Sequence, residues 1–429
     1  MRLYPEAGHV KELVYSGKMP EAKQLLEQAL KGQESAAVLN DLALVCAKFG
    51  QDQQMLNSIE RAEKLANTDI RVKVNRYYLS ELAKLNRDRG QNAQERVINL
   101  KCGDPGLKPR LSIVLPTFNR AELIKEAIVS VLAQQFQDWE LVIVNDGGDP
   151  GLAQTLEGIW DPRFVYINAQ HSGNAGSNNV GLRFARGGLI GFLDDDDVFY
   201  PDHFQKTVDY FDRHPGARIV YRDLKRVWLD TSGNTIKHRD DVRGFRKSLK
   251  PWDLFTGNLL AFNIRRECLE KVSGFLEGLQ FAVSWDFPVA LSEYFKFDYL
   301  PGFGGEFRFR RGLQRMSNCG QASRARWRNL ILYHHGISPL YSFGTARGRT
   351  SRALLSGLSA LVEEFGWTLD ALELVRLHQE PEYSFFFSLA ERLAEENEIQ
   401  ASRACLKYAL RLAPHKARIW KRLARSYLK

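Results

Sequence analysis

The 429-residue chain has no apolar run long enough to cross a membrane. Its longest apolar-rich stretches, such as Leu111–Leu115 and Leu141–Val144, are strand-length, whereas a spanning helix needs about 18 consecutive apolar residues. Cysteine is scarce: Cys46, Cys102, Cys268, Cys319 and Cys405 are odd in number, far apart and never in a C-x-x-C pair. That excludes a disulfide framework or a structural zinc site and fits a reducing compartment. The first residues, MRLYPEAGHVKEL, carry Pro, Glu and His where a secretory signal would hold its apolar stretch. No Walker or dinucleotide fingerprint is present, because the NDGGDPG turn lacks the required glycine spacing. Acids are missing from one long stretch. Between Phe307 and Val362 there are ten arginines, no lysine, and no Asp or Glu.

What is present describes a soluble globular protein: 44% apolar and 26% charged residues, with length for two to four domains at about 100–200 residues each. Lys and Arg number 60 against 51 Asp and Glu, a net charge of +9. The concentration of arginine in one block points to an anionic partner, with a solvated basic face as the alternative.

Three zones follow one another. Residues 1–104 read as successive helices, with apolar positions such as Ala22, Leu25, Leu26 and Ala29 at helical spacing. GKMPEAKQLLEQAL and GQDQQMLNSIERAEKL recur at an offset of 33 residues, with a weaker third copy, GQNAQERVINL, from Gly90. Residues 384–429 have the same character, with small residues at Ala390, Ala401 and Ala409 and a closing Pro414. Both segments resemble tetratricopeptide repeats, and residues 336–383 would link the second to the middle zone. Such helices bind protein partners or only flank the central domain.

From 108 to 335 the period changes. Short apolar runs at 111–116, 140–146, 163–168 and 189–194 alternate with helical patterns at 121–135, 151–159 and 175–186. This predicts an α/β fold with a mostly parallel sheet, whose ligands would lie beyond the carboxyl ends of the strands. Those ends are polar: Thr117, Asn119 and Arg120; Asn145 and Asp146; Asp194 to Asp197. Four consecutive carboxylates repel one another, and a divalent cation shared with a diphosphate would relieve this. A solvated acidic loop is the alternative. On extended backbone Asp194 and Asp196 face one way and Asp195 the other.

The run LSIVLPTFNRAELIKEAIVSVLAQQFQDWELVIVNDGGDP, followed by DPRFVYI, GNAGSNNVGLRFARG and LIGFLDDDDVFYPDHF, resembles family 2 glycosyltransferases over about 109–320. The resemblance implies a GT-A fold and an inverting transfer of sugar from a nucleoside-diphosphate donor, with a UDP-sugar as the first expectation. It places Pro116, Thr117, Asn119 and Arg120 in the nucleotide pocket. Asp146 would accept a hydrogen bond from the base, which suits uracil, thymine or guanine. Asp194 and Asp196 match the D-x-D element that holds Mg²⁺ or Mn²⁺, with Asp196 as the direct ligand and Asp194 or Asp195 near the ribose. Asn145 and Asn178 stand where the family carries Asp and Arg. Val283-Ser284 replaces the Glu-Asp pair that supplies the base, leaving Asp286 as the candidate base or a helix cap. Arg310, with Arg308, Arg311 and Ser317 nearby, falls in a segment that closes over the diphosphate.

The resemblance implies a glycan, lipid-linked or protein acceptor and a cytoplasmic protein, with peripheral contact at the inner membrane face through the arginine block. Nucleic acid is not expected. Trp228, Trp252 and Trp285 are more readily core residues than sugar platforms, and adjacent His334-His335 diverge too far on a helix to share a metal. The competing reading is a catalytically degenerate nucleotide- or glycan-binding scaffold.

Overall fold

The computed structural model describes residues 5–87, 96–241, 258–277, 283–312 and 399–427, apart from breaks at 16–17, 33, 67–69, 293 and 413–414, together with Phe387, Ala390 and Ala394. The chain divides into two compact units, one drawn from 1–87 and 317–429 and the other from 88–316. The 336–383 linker, Trp252, His334-His335, Ser317 and the arginines of the block from Arg315 to Arg352 lie outside the described residues.

The first unit is helical: α1 (Ala7–Tyr15), α2 (Met19–Gly32), α3 (Ala36–Lys48), α4 (Asp52–Leu65) and α5 (Ile70–Arg87) near one end of the chain, α11 (Ile399–Leu412) and α12 (Ala417–Ser426) near the other. Each of the first five packs on the next, and α3 also meets α5. The offset seen in the sequence is carried by α2 and α4, both 14 residues long. Their inward positions correspond: Ala22 with Met55 and Leu26 with Ile59, all buried. Helix α3, rich in Ala and Leu, is buried from Ala37 to Ala47 except at Asp41. A hydrogen bond of 2.8 Å from Asn75 to Asn40 satisfies two buried amides between α5 and α3. Cys405, Leu406, Ala409 and Ile419 join the same apolar core as Leu39, Ala43 and Leu79, so helices from both chain ends share it.

The second unit is built on ten strands. They are β1 (Val97–Cys102), β2 (Leu111–Thr117), β3 (Trp139–Asp146), β4 (Phe164–Ala169), β5 (Leu189–Phe192), β6 (Val198–Phe199), β7 (Ile219–Leu229), β8 (Thr235–Asp241), β9 (Phe262–Arg265) and β10 (Phe297–Arg310). Their order is β1-β4-β3-β2-β5-β9-β7-β10-β6, with β8 paired to β7. The centre is parallel, from β4 through β3 and β2 to β5, while β1 and β9 join it antiparallel. β7 and β10 form a second parallel pair. The described part of the third repeat copy, from Arg96, is not helical. Within it, Val97–Cys102 is captured as an edge strand on β4, a ladder that suits its Val and Ile better than a helix does.

Helices α6 (Ala121–Leu132), a single turn α7 (Leu152–Thr155), α8 (Gly173–Phe184), α9 (His203–Arg213) and α10 (Val283–Ser292) complete the unit. Strands β2 and β3 are buried along their whole length, which explains why they read as continuous apolar runs. Gly181 lets α8 lie close on the sheet, since a Cβ there would fall 2.3 Å from Val114 Cγ1. No described helix is long and apolar enough to cross a membrane.

Candidate active site

The parallel strands β2, β3 and β5 end together, and their polar termini meet. The carboxylate run follows β5 as a turn rather than the expected extended backbone, closed by the Asp197 N–H on the Asp194 carbonyl at 3.1 Å, and the turn sorts the four groups. Asp195 and Asp197 are buried, Asp194 and Asp196 half-buried. Thr117, the last residue of β2, donates its hydroxyl to Asp195 Oδ2 at 2.7 Å. Arg120, just before α6, donates to Asp195 Oδ1 at 3.0 Å and lies 3.7 Å from Asp196 Oδ2. Burial pushes the Asp195 carboxyl up to about 6, with Arg120 pulling it down and Asp196 raising it again. Asp197 plays a different part. Its Oδ1 accepts the backbone N–H of Arg308 and its Oδ2 accepts Asn258 Nδ2, both at 2.8 Å, so it ties the turn to β10.

Asp146, at the end of β3, is 3% exposed. Its Oδ1 accepts the backbone N–H of Ser172 at 2.8 Å and the Ser172 hydroxyl at 3.1 Å, and His171 Nδ1 lies 3.0 Å from Oδ2. Burial raises its carboxyl, and the bonds from Ser172 together with His171 offset part of the rise. Neighbouring Asn145 is buried and donates to the Asp149 carbonyl and the Tyr166 hydroxyl, which fixes the turn after β3. Asn119 adopts a left-handed φ of 54° and accepts the Asp149 N–H at 2.9 Å, joining the loops after β2 and β3. The ring of Phe118 stands at this mouth, 43% exposed, 4.5 Å from that of His171.

Three expected site residues have partners within the chain. Asn178 is buried in α8 and donates back to the Asn174 carbonyl at 2.8 Å. Arg310 and Arg308 both donate to Glu126 of α6, at 2.7 and 2.8 Å, so a carboxylate of the chain already faces these guanidinium groups. Asp286, in the first turn of α10, is 2% exposed and accepts the Leu276 N–H at 3.3 Å. Pro116 is buried within β2. His171, Ser172, Phe118 and Glu126 are the contributors that sequence reasoning missed. Of these only Phe118, between Thr117 and Asn119, had a positional signal.

Among the described residues no group of three or more His, Cys, Asp or Glu forms a closed metal site. The half-buried carboxylates of Asp194 and Asp196 nevertheless fit Mg²⁺. That ion is usually held by one or two carboxylates and completed by substrate phosphates and water rather than by an all-protein cage.

Residues 112–259 match the family model for Glycosyl transferase family 2. This stretch, about a third of the chain, spans the strand ends just described and is what the chain shares with that family. An uncharacterized protein of Sinorhizobium fredii is 34% identical over 124 residues, 28% of this chain and 14% of that protein. The chondroitin synthase of Pasteurella multocida is 29% identical over 194 residues, 45% of this chain and 20% of that enzyme. The chain thus matches a fifth or less of the length of these two relatives. Among solved structures, S. aureus TarS 1-349 in complex with UDP-GlcNAc superposes with a TM-score of 0.43 at 18% identity, covering 70% of this chain and 83% of that one.

Proposed function

We propose that the chain is an inverting glycosyltransferase that moves a sugar from a nucleoside-diphosphate donor, first of all a UDP-sugar, to a hydroxyl of a glycan, lipid-linked or protein acceptor. The observation that carries this reading is the meeting of Thr117, Arg120, Asp146, Asp195 and Asp196 at one edge of the parallel sheet, inside the stretch matched by the family. Thr117 and Arg120 hold Asp195, which sets the position of Asp196 beside it. Pro116 and Asn119 shape the turn over which the nucleotide lies, and Asp146 marks the base end. Asp194 and Asp196 would hold Mg²⁺ or Mn²⁺, which when bound supplies positive charge against the leaving diphosphate. Arg308 and Arg310, each with one guanidinium nitrogen on Glu126, would turn further donors to a donor phosphate, and Asn178 acts by shaping the start of α8.

Asp286 is the proposed base, taking the proton of the acceptor hydroxyl. Its burial and its bond to Leu276 also favour a second reading, a nucleotide- or glycan-binding protein without turnover. Ser284, where the family places a carboxylate, points the same way. The helical unit resembles tetratricopeptide repeats in its offset helices and would present partners or acceptor, and the arginine-rich stretch after β10 would meet an anionic acceptor or membrane face. The proposed location is the cytoplasm. Transfer from a panel of nucleotide sugars, with and without divalent cation, tests the enzyme reading. Tight nucleotide binding with no transfer across the panel would establish the second.

A further inference from the structure

The base end of the site contains a histidine that family resemblance did not single out. His171 is 58% exposed at its side chain, yet its ring orientation is set by two oxygens of one residue. Nδ1 lies 2.9 Å from the backbone carbonyl oxygen of Asp146 and 3.0 Å from its carboxylate Oδ2. A carbonyl oxygen only accepts, so Nδ1 must carry the proton. In the neutral ring Nε2 then holds a bare lone pair, and no described residue pairs with it. Gly147, with φ of 70°, makes this arrangement accessible, because a Cβ there would fall 2.7 Å from the His171 backbone nitrogen. Meanwhile both carboxylate oxygens of Asp146 are already engaged, Oδ1 by Ser172 and Oδ2 by His171.

We propose that His171 is the specificity-determining residue of the nucleotide site: Asp146 orients its ring, and its Nε2 accepts the imide N–H of the base. This rests on the nucleotide-binding reading given above and refines it by moving the reading group from the buried carboxylate to the exposed imidazole. The ligand class follows from the chemistry. A neutral acceptor selects a base with a ring N–H between carbonyl or amino groups, that is N3–H of uracil or thymine, or N1–H of guanine. Phe118 flanks the same opening, its ring 4.5 Å from the imidazole.

The test is a cycle of titration calorimetry on the full chain, with UDP and N3-methyl-UDP as probes against wild type and His171→Asn. The asparagine amide can still donate toward Asp146 but offers nothing at the Nε2 position. Wild type should bind UDP about tenfold more tightly than N3-methyl-UDP, the worth of one hydrogen bond. H171N should bind UDP about tenfold more weakly, with less than about a twofold further loss on methylation. If methylation costs H171N as much as it costs wild type, another group reads the base and the proposal falls. It also falls if H171N binds UDP as wild type does. Failure of wild type to bind UDP or GDP at all would overturn the nucleotide reading itself, which is a separate outcome.

Discussion

Arg120 provides the sharpest energetic test of how the site is built. Its guanidinium stands 3.0 Å from a carboxylate that is 5% exposed, with the Thr117 hydroxyl as a second partner. Removing one member of a buried pair costs about 3–5 kcal/mol, because the other charge is left uncompensated. Arg120 itself is 28% exposed at its side chain, so water takes over part of its role and about 2–3 kcal/mol is the better figure for Arg120→Gln. The pH dependence follows from Asp195. Burial holds its native carboxyl up at about 6, above the usual aspartate range, so the folded state takes up a proton as pH falls. Loss of Arg120 moves that titration higher still. The destabilisation is therefore largest at high pH, shrinks as pH falls through the variant's raised carboxyl toward 6, and is mostly gone below 6, where Asp195 is neutral in wild type as well. Chemical denaturation of the sheet unit at pH 8 and pH 5, for R120Q with and without Asp195→Asn, measures this. The D195N background should remove most of the cost. A pH-independent loss, or an R120Q midpoint at pH 8 equal to wild type, would refute the assignment of Arg120 as the counter-charge of Asp195.

Other expectations are more local. Gly305→Ala puts a Cβ 2.4 Å from the Val198 carbonyl oxygen, so it should cost about 1–3 kcal/mol in thermal unfolding. The loss should be accompanied by weaker nucleotide binding, because β10 also holds Asp197. Gly181→Ala meets Val114 Cγ1 at 2.3 Å and should destabilise by a similar amount, about 1–3 kcal/mol, through the α8 contact alone. Asp286→Asn keeps the shape and the acceptor for Leu276. It should leave unfolding within about 1 kcal/mol of wild type and nucleotide affinity unchanged. If Asp286 is the base, transfer should fall at least about 100-fold. Retained transfer removes Asp286 from that role.

The parallel centre of the sheet was legible because β2 and β3, buried on both faces, leave uninterrupted apolar runs in the sequence. The site was legible for a related reason: polar residues follow each run abruptly, at strand ends where a sheet fold gathers them. The outer sheet was not. β7 and β10 carry mixed residues such as Lys225, Arg226, Glu306 and Arg308, and their pairing spans more than 70 residues of sequence, which no local period records. β1 was read as helix because its six residues follow a repeat-like segment and gain strand character only from β4. His171 and Ser172 escaped notice because they lie in a loop after β4, and only the fold brings them to Asp146. Glu126 was hidden in the same way, a surface residue of α6 until β10 lays Arg308 and Arg310 across it. Asp286 stays between its two readings: the sequence offers a base or a helix cap, and the fold buries it in the first turn of α10 with the Leu276 N–H on its carboxylate.

The central claim is that the strand ends bind a nucleoside diphosphate with a divalent cation at Asp194 and Asp196. Calorimetric titration of UDP into wild type and Asp196→Asn, each with and without Mn²⁺, tests it most directly. Binding to wild type should strengthen at least about tenfold with Mn²⁺, and D196N should lose that metal dependence. Wild type that binds no UDP, or D196N that keeps the full response to Mn²⁺, would contradict it.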